Sequence, residues 1–416
     1  MSTPELSPSP SGSTTTPAAS APSRPARLWI GRAAGIVFGL LLAWLLIEVL
    51  LRVLFFSLPP RLQLVLDQVR VTPFSDRTLL PDPVWQPDNE YLTIARPVQG
   101  YEQFGSAEVR FEVDTETLWG SRAAFRTQQA LVDQHVDGVA IGDSFTFCFT
   151  EADDCWVQQL STLTGRNIIN LGIVSTGSVS HARVLANFGM PLQPPLVIWQ
   201  WWGNDANEDY GLAALRGETE VQSPHPPAPA RAPNWWDRNS AVYVLLKLFL
   251  GEEDEFEGSL QFLDRETATE GDLRLAFGRP YLWDAFDMAQ PHNQYGWERT
   301  QQALIEAQGM VESYGGTLLV VLIPTKEQVY RELAGPLIGA ERMALLDRNY
   351  ALMQDFCEGQ ALTCLDLLPV LREVAQRGEQ LYYTTDIHLN PRGNAVLAET
   401  LAAWLDAHPD VFGSAP

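Results

Sequence analysis

From residue 139 onward the chain alternates short, unbroken apolar runs with stretches of helical periodicity, and no other property of the sequence narrows its fold so far. The runs are Val139 to Gly142, Ile168 to Leu171, Leu196 to Trp201, Thr317 to Ile323 and Leu362 to Leu365. Helical spacing falls near 153–164, 178–189, 296–313, 339–356 and 367–377, and again from Pro391 to Ala407. Runs this short and this apolar suit strands buried on both faces. Their alternation with helices predicts an α/β domain of three layers, α/β/α, in which helices cover both faces of a parallel sheet. In such a sheet a ligand site lies beyond the carboxyl ends of the strands. A chain of 416 residues with 46% hydrophobic residues has the material for such a core.

Polar motifs stand at those strand ends. Gly142-Asp143-Ser144 closes the run Val139-Ala140-Ile141 and places a serine where a strand turns into a helix. A serine hydroxyl is a weak nucleophile at neutral pH, so a catalytic reading needs a base, a group that orients the base, and donors for an oxyanion. Taken alone the tripeptide fits a helix-capping serine equally well. Asn170-Leu171-Gly172 ends the second run and Trp202-Gly203-Asn204-Asp205 the third. Bland readings exist for these too, a turn glycine and a loop-capping asparagine.

Near the C-terminus Thr385-Asp386-Ile387-His388-Leu389-Asn390-Pro391 sets a carboxylate two residues from an imidazole, just before a helical pattern. Of the six histidines, only His388 has an aspartate placed to orient its ring by local geometry; His181 is the competitor. Asp386 would bond one ring nitrogen and fix the tautomer, leaving the other nitrogen to take the Ser144 proton. The alternative is a solvated loop pair.

The order Ser144, Gly172, Asn204, His388, each in its strand-end context, resembles the SGNH (GDSL-type) hydrolases over roughly residues 136 to 408. The resemblance implies a flavodoxin-like sheet and a site in which Ser144 attacks an acyl ester while His388 serves as general base and then general acid. It also implies that Asp386 orients His388 and that Ser144 N–H, Gly172 N–H and the Asn204 amide hold the oxyanion, with no metal or organic cofactor required. Many members carry the aspartate three residues before the histidine. The Asp-x-His spacing here is similar to that of membrane-associated members and of the alginate O-acetyltransferase group. Hydrolysis by a serine esterase is the first expectation. The second is an O-acetyltransferase or deacetylase of a cell-surface polysaccharide, the transferase using a sugar hydroxyl in place of water and a membrane partner as acyl donor. The third is a catalytically inactive glycan-binding or assembly module.

The rest of the chain divides by composition. Residues 1–32 are rich in Ser, Thr, Pro and Ala and predict a disordered tail. Residues 33–58 predict a transmembrane helix: Ala33 to Leu51 holds one ionisable group, Glu48, and apolar character resumes after Arg52. A cleaved signal peptide is the rival, disfavoured by the long polar leader and by the lack of a small-x-small site after the run. Glu48 and Arg52 are spaced to pair on one helix face. Arg24, Arg27 and Arg32 before the span balance Arg52, Arg61 and Arg70 after it. The expected topology therefore rests on the unstructured leader staying inside and the domain emerging outside the cytoplasm.

Residues 59–135 predict a small β-rich lead-in, either packed on the main domain or serving as a stalk, and residues 136–416 the SGNH domain. An interruption at 206–296 is expected to sit over the site as a lid. It carries the Pro-rich stretch from Ser223, the apolar Ala241 to Leu250 and an acidic run at 252–255. Trp199, Trp201, Trp202, Trp235 and Trp236 are candidates either for a sugar-binding surface or for packing. The net charge of −23 lies in the body, since residues 1–32 carry three Arg against one Glu. That argues against nucleic acid as a ligand. The four cysteines form two local pairs, Cys148 with Cys155 and Cys357 with Cys364, without metal-ligand spacing. Two short-range disulfides and buried free thiols are both open, and four cysteines allow three connectivities.

Overall fold

A computed structural model describes residues 24–59, 84–104, 108–223, 235–250 and 264–412, together with Leu62, Val65 and Leu66. The leader up to residue 23, most of the Pro-rich stretch and the acidic run at 252–255 lie outside the described residues. The chain forms two compact units, Met1–Leu50 and Leu51–Pro416.

The first unit is dominated by helix α1 (Arg24–Val53), within which Gly31–Val53 is long and apolar enough to cross a membrane. The helical span does not run on to residue 58. The helix ends at Val53, a short 3-10 turn follows at Phe55–Ser57, and Phe55 is buried among Val65, Leu66, Ala241 and Val244. Residues beyond Val53 are thus part of the body.

The second unit begins with an antiparallel sheet of β1 (Trp85–Asp88), β2 (Leu92–Ala95), β3 (Val98–Phe104), β4 (Arg110–Thr117) and β5 (Ala124–Phe125), in the order β1-β2-β5-β4-β3. Strand β4 alternates outward and inward residues, and Phe111 and Val113 point into a core with Val84, Tyr101 and Ala124. Phe147 and Val174 of the main domain complete that core. The described strands of the lead-in are packed against the body; residues 67–83 of the expected lead-in or stalk lie outside the described residues.

The central sheet is parallel and contains β6 (Gly138–Ile141), β7 (Ile168–Asn170), β8 (Leu196–Trp201), β11 (Thr317–Leu322) and β12 (Thr363–Asp366), with a hairpin of β9 (Glu266–Glu270) and β10 (Leu273–Phe277) outside it. Its order, β12-β11-β8-β6-β7, is the flavodoxin-like one with strands numbered within the sheet as 5-4-3-1-2. The winding reverses between β6 and β8, and the crevice at that point lies beyond Ile141 and Trp201.

Period-two alternation divides the strands between two cores. Ala140, Ile198, Leu319 and Val321 face one side, where helices α3 (Trp156–Thr164) and α8 (Pro391–Ala407) supply Trp156, Leu160, Val396 and Leu401. Val139, Ile141, Val197, Trp199, Val320 and Leu322 face the other, against α6 (Pro291–Glu312) and α7 (Ala340–Gln360) with Leu304, Ala307, Tyr350 and Met353. Each fully buried side chain of this size contributes about 1.5–3 kcal/mol relative to exposure. Trp199, Trp201 and Trp202 belong to these cores, which removes them as a sugar-binding surface.

The interruption departs from expectation. Its first residues form helix α4 (Asp205–Leu215), which packs so closely on α6 that a Cβ at Gly296 would sit 1.7 Å from the carbonyl oxygen of Ala206. Further along come α5 (Ala241–Phe249) and the β9–β10 hairpin, whose Leu273, Leu275 and Phe277 enter the first core. Alternation of long apolar runs could not reveal these pieces, because each is short and is buried by neighbours distant in sequence. The described parts pack on the body, α4 against α6 and the hairpin in the first core, while residues 224–234 and 251–263 of the expected lid lie outside the described residues. Both cysteine pairs are disulfides, Cys148–Cys155 and Cys357–Cys364.

Candidate active site

Ser144 opens a single helical turn, α2 (Ser144–Phe147), at the end of β6. The turn is fixed from several sides. Asp143 caps it by accepting a hydrogen bond from Phe145 N–H at 2.8 Å, and Gln200 on β8 accepts from Asp143 N–H at 3.0 Å and from Thr146 Oγ1 at 3.1 Å. Gly142 is required because a Cβ there would lie 2.3 Å from Gln200 Oε1. Behind the turn, Arg126 of the lead-in donates to the carbonyls of Phe147, Cys148 and Thr150, and the Cys148–Cys155 bridge closes the loop. Burial raises the Asp143 carboxyl to about 6, opposed by the Phe145 N–H bond and by His388 nearby.

His388 reaches Ser144 from the opposite end of the sequence. Its Nε2 lies 2.7 Å from Ser144 Oγ, and its Nδ1 lies 2.5 Å from Asp386 Oδ1. The same carboxylate oxygen accepts from His388 N–H at 2.9 Å, the local turn that an aspartate makes with the backbone two residues on. The segment bends back on itself through a bridge between Tyr382 and Leu389. Phe149 and Phe145 flank the imidazole at centroid distances of 4.1 and 4.9 Å. Burial works against the Asp386 charge, but His388 and Arg279 outweigh it and hold the carboxyl well below its ordinary range. Asp386 is therefore a permanent anion near neutral pH.

The loop from Thr384 to Asp386 is held by residues the motifs did not include. Lys326 Nζ, wholly buried, donates to Asp264 Oδ2 at 2.8 Å, to Thr384 O at 3.0 Å and to Asp386 O at 3.1 Å. Arg279 Nη2 donates to Thr385 O at 2.8 Å, and Ala276 N–H of β10 to Thr384 O at 2.8 Å. Glu108, on the other side, accepts from Thr384 N–H, Thr385 N–H and Thr385 Oγ1. A buried Lys326–Asp264 pair is stabilising only with its remaining donors satisfied, and two of them are satisfied by this loop. The strand-end rule that singled out Asn204 also applies to Pro324-Thr325-Lys326 after β11. The Arg279 and Glu108 contacts span over 100 and over 270 residues and carry no local signal.

Two expected oxyanion donors are placed differently. Gly172 N–H donates to Asn170 Oδ1 at 2.9 Å, so it is already occupied. What the position requires is absence of a side chain: a Cβ would come within 2.4 Å of Phe147 N, in the backbone of the serine turn. Asn204 is buried, and its amide nitrogen donates to Tyr281 Oη at 3.1 Å and makes a long 3.4 Å contact with Glu208 Oε1. Its hydrogen bonds go to those residues and not to Ser144 or His388. His181 sits elsewhere, with Nε2 3.1 Å from Thr176 Oγ1, and burial lowers its pKa to about 3. It is a neutral core histidine. Among the described residues no cluster of His, Cys, Asp and Glu is arranged to hold a metal ion.

Residues 281–416 match the family model described as ALGX, the SGNH hydrolase-like domain of acetyltransferase AlgX. That stretch holds Asp386 and His388. Among solved structures, a lipolytic protein of the G-D-S-L family from Desulfitobacterium hafniense DCB-2 aligns at 13% identity over 64% of this chain and 97% of its own, with a TM-score of 0.34. A catalytic mutant of Axe2, an acetylxylan esterase from Geobacillus stearothermophilus, aligns at 11% identity over 66% and 93%, with a TM-score of 0.33. A G-D-S-L family lipolytic protein from Veillonella parvula DSM 2008 aligns at 11% over 64% and 96%, with a TM-score of 0.33. No curated protein matches the chain.

Proposed function

We propose that the chain is a membrane-anchored serine enzyme of the SGNH type that acts on an acyl ester through Ser144, His388 and Asp386. The observation that carries this reading is the continuous line of contacts from Asp386 Oδ1 to His388 Nδ1 and from His388 Nε2 to Ser144 Oγ, at 2.5 and 2.7 Å. With Nδ1–H held by an anion, Nε2 presents its lone pair to the serine hydroxyl. His388 then takes the Ser144 proton as Oγ attacks the acyl carbonyl, and returns it to the departing alcohol oxygen. The acyl group remains on Ser144 until water or another hydroxyl, deprotonated by His388, attacks it.

The oxyanion is assigned to Ser144 N–H, which as a first-turn amide has no intrahelical partner, and to the Asn204 amide proton now engaged only by the long contact to Glu208. Gly172 is assigned a packing role. The test is intact-mass analysis of the full chain in detergent after exposure to a panel of short acyl donors. A single acyl adduct on the native chain, absent from Ser144→Ala, is expected, and no adduct with any donor while ester hydrolysis is also absent would sink the proposal.

Transfer to a polysaccharide hydroxyl is the second reading. It is favoured by the match of residues 281–416 to an acetyltransferase domain and by the Asp-x-His spacing. Under it, adding an acylatable glycan speeds loss of the acyl group from Ser144 and yields acyl glycan, and an acyl donor in the membrane supplies the enzyme. A deacetylase would run the same chemistry with water as acceptor. An inactive glycan-binding module is the reading to adopt if no acyl-enzyme forms. The domain is proposed to lie outside the cytoplasm, in keeping with the two disulfides, one behind Ser144 and one joining α7 to β12.

A further inference from the structure

Helix α5, in the insertion, has two unlike faces. Ala241 and Val244 are buried against Phe55, Val65 and Leu66, with Leu51 and Leu58 packed on the same cluster, and Arg52 Nη2 donates to Asn239 O at 2.8 Å. Away from that cluster, Phe249 and Leu250 are 80% and 71% exposed, Leu246 is exposed, and Trp235 and Trp236 just upstream are 65% and 51% exposed. Five of the eleven exposed large hydrophobic residues that follow Leu54 among the described residues fall within 235–250. Such clustering marks an interaction site, whereas scattered exposed leucines do not.

We infer that α5 and the Trp235-Trp236 pair form a lipid-contact surface, seated in the headgroup layer of the bilayer in which α1 is anchored. The inference rests on the anchor reading given above. Its geometry comes from chain reach: Phe55 is two residues past the end of α1, so it lies within ~7 Å of that end. Helix α5 touches Phe55, which brings it to the depth of the polar layer flanking the hydrocarbon core, about 5–8 Å thick on each side. Tryptophan is the side chain enriched at that depth, with an apolar body and a polar N–H. The charged residues of 235–250 are Asp237, Arg238 and Lys247, a slight positive excess in a strongly acidic body. Contact with the bilayer is therefore supplied by apolar insertion and not by attraction of the body to anionic lipid. Such a surface gives the body a second attachment to the bilayer besides α1.

The test uses the full chain reconstituted in nanodiscs of phosphatidylcholine and phosphatidylglycerol containing a diazirine-bearing phosphatidylcholine, with adducts mapped by peptide mass spectrometry. Lipid adducts are expected on peptides from both 31–53 and 235–250, and the double variant Phe249→Ser, Leu250→Ser should lose adducts on 235–250 several-fold while keeping those on 31–53. Adducts confined to 31–53 overturn this inference and leave the anchor standing. Absence of adducts from 31–53 overturns the anchor and the inference with it. Crosslinks from 235–250 to a second protein chain in place of lipid also overturn it and assign the surface to self-association.

Discussion

Glu108, just before β4, accepts hydrogen bonds from the backbone amides of Thr384 and Thr385, 276 and 277 residues further along the chain. The lead-in sheet therefore holds the segment that carries Asp386 and His388 by its N–H groups, while Lys326, Arg279 and Ala276 hold it by its carbonyls. The imidazole is positioned by a loop clamped along both edges.

Removing one edge should loosen the base without unfolding the protein. Glu108→Ala is expected to lower kcat on a short acyl ester by ~10-fold through misplacement of His388, with KM little changed. Glu108→Gln, which keeps an acceptor oxygen, should recover most of that loss. Unchanged kcat in the alanine variant would show that the carbonyl-side contacts suffice.

The Asp386 carboxylate fixes the tautomer, so Asp386→Asn should cost ~10³–10⁴-fold in kcat while thermal stability stays near that of the native chain. Asn204→Ala should cost ~10²-fold in kcat if its amide joins the oxyanion. Parallel kinetics of the two variants separate the roles. A full-rate Asn204→Ala enzyme would return the oxyanion to backbone donors alone.

Lys326→Met leaves buried Asp264 with Arg279 alone, whose Nε lies 3.4 Å from Asp264 Oδ1, and takes the cation from beside Glu327, whose carboxyl burial already raises. Loss of one partner from a buried pair typically destabilises by about 3–5 kcal/mol, readable from the urea midpoint. The double variant Lys326→Met, Asp264→Leu should regain part of this in the same measurement. A double variant no more stable than the single one would mean that the loop carbonyls, and not the ion pair, depend on Lys326.

Asp209 is buried, accepts from Thr300 Oγ1 at 2.7 Å and from Val179 N–H at 2.8 Å, and has its carboxyl raised by burial to about 7. Because the folded value lies above the unfolded one, the folded state is favoured by protonation. The stabilising contribution is complete below pH ~4 and is lost as pH rises through about 7. Urea midpoints at pH 5 and pH 8 should therefore fall further for the native chain than for Asp209→Asn, by roughly 1–3 kcal/mol after conversion. Equal slopes in the two proteins would contradict the burial argument.

The parallel sheet was legible because each of its strands is a continuous apolar run, and the order of polar motifs at the strand ends located Ser144 and the Asp386–His388 pair. Hidden from the sequence were the parts whose identity depends on distant neighbours. Helix α4 lies in a stretch expected to be a lid, since its burial comes from Gly296 and Thr300 of α6. The serine turn was expected to have Gly172 N–H pointing at the substrate, but Asn170, two residues earlier, turns its side chain back and takes that bond. Local rules of strand end and turn cannot decide between a donor that faces a cavity and one that is already paired. The same limit hid the clamp, because Glu108, Arg279 and Lys326 acquire their meaning only when the last strand ends have been brought beside them.

Ser144 and His388 meet across 244 residues, and Asn394 of α8 accepts from Trp156 N–H across 238. Ser144 comes with β6 near the start of the parallel sheet and His388 just ahead of α8, so the pair is in place only when the sheet between them is built and α8 is docked on α3. Under the proposed function, a partly folded domain carries the serine turn without its base and is inert.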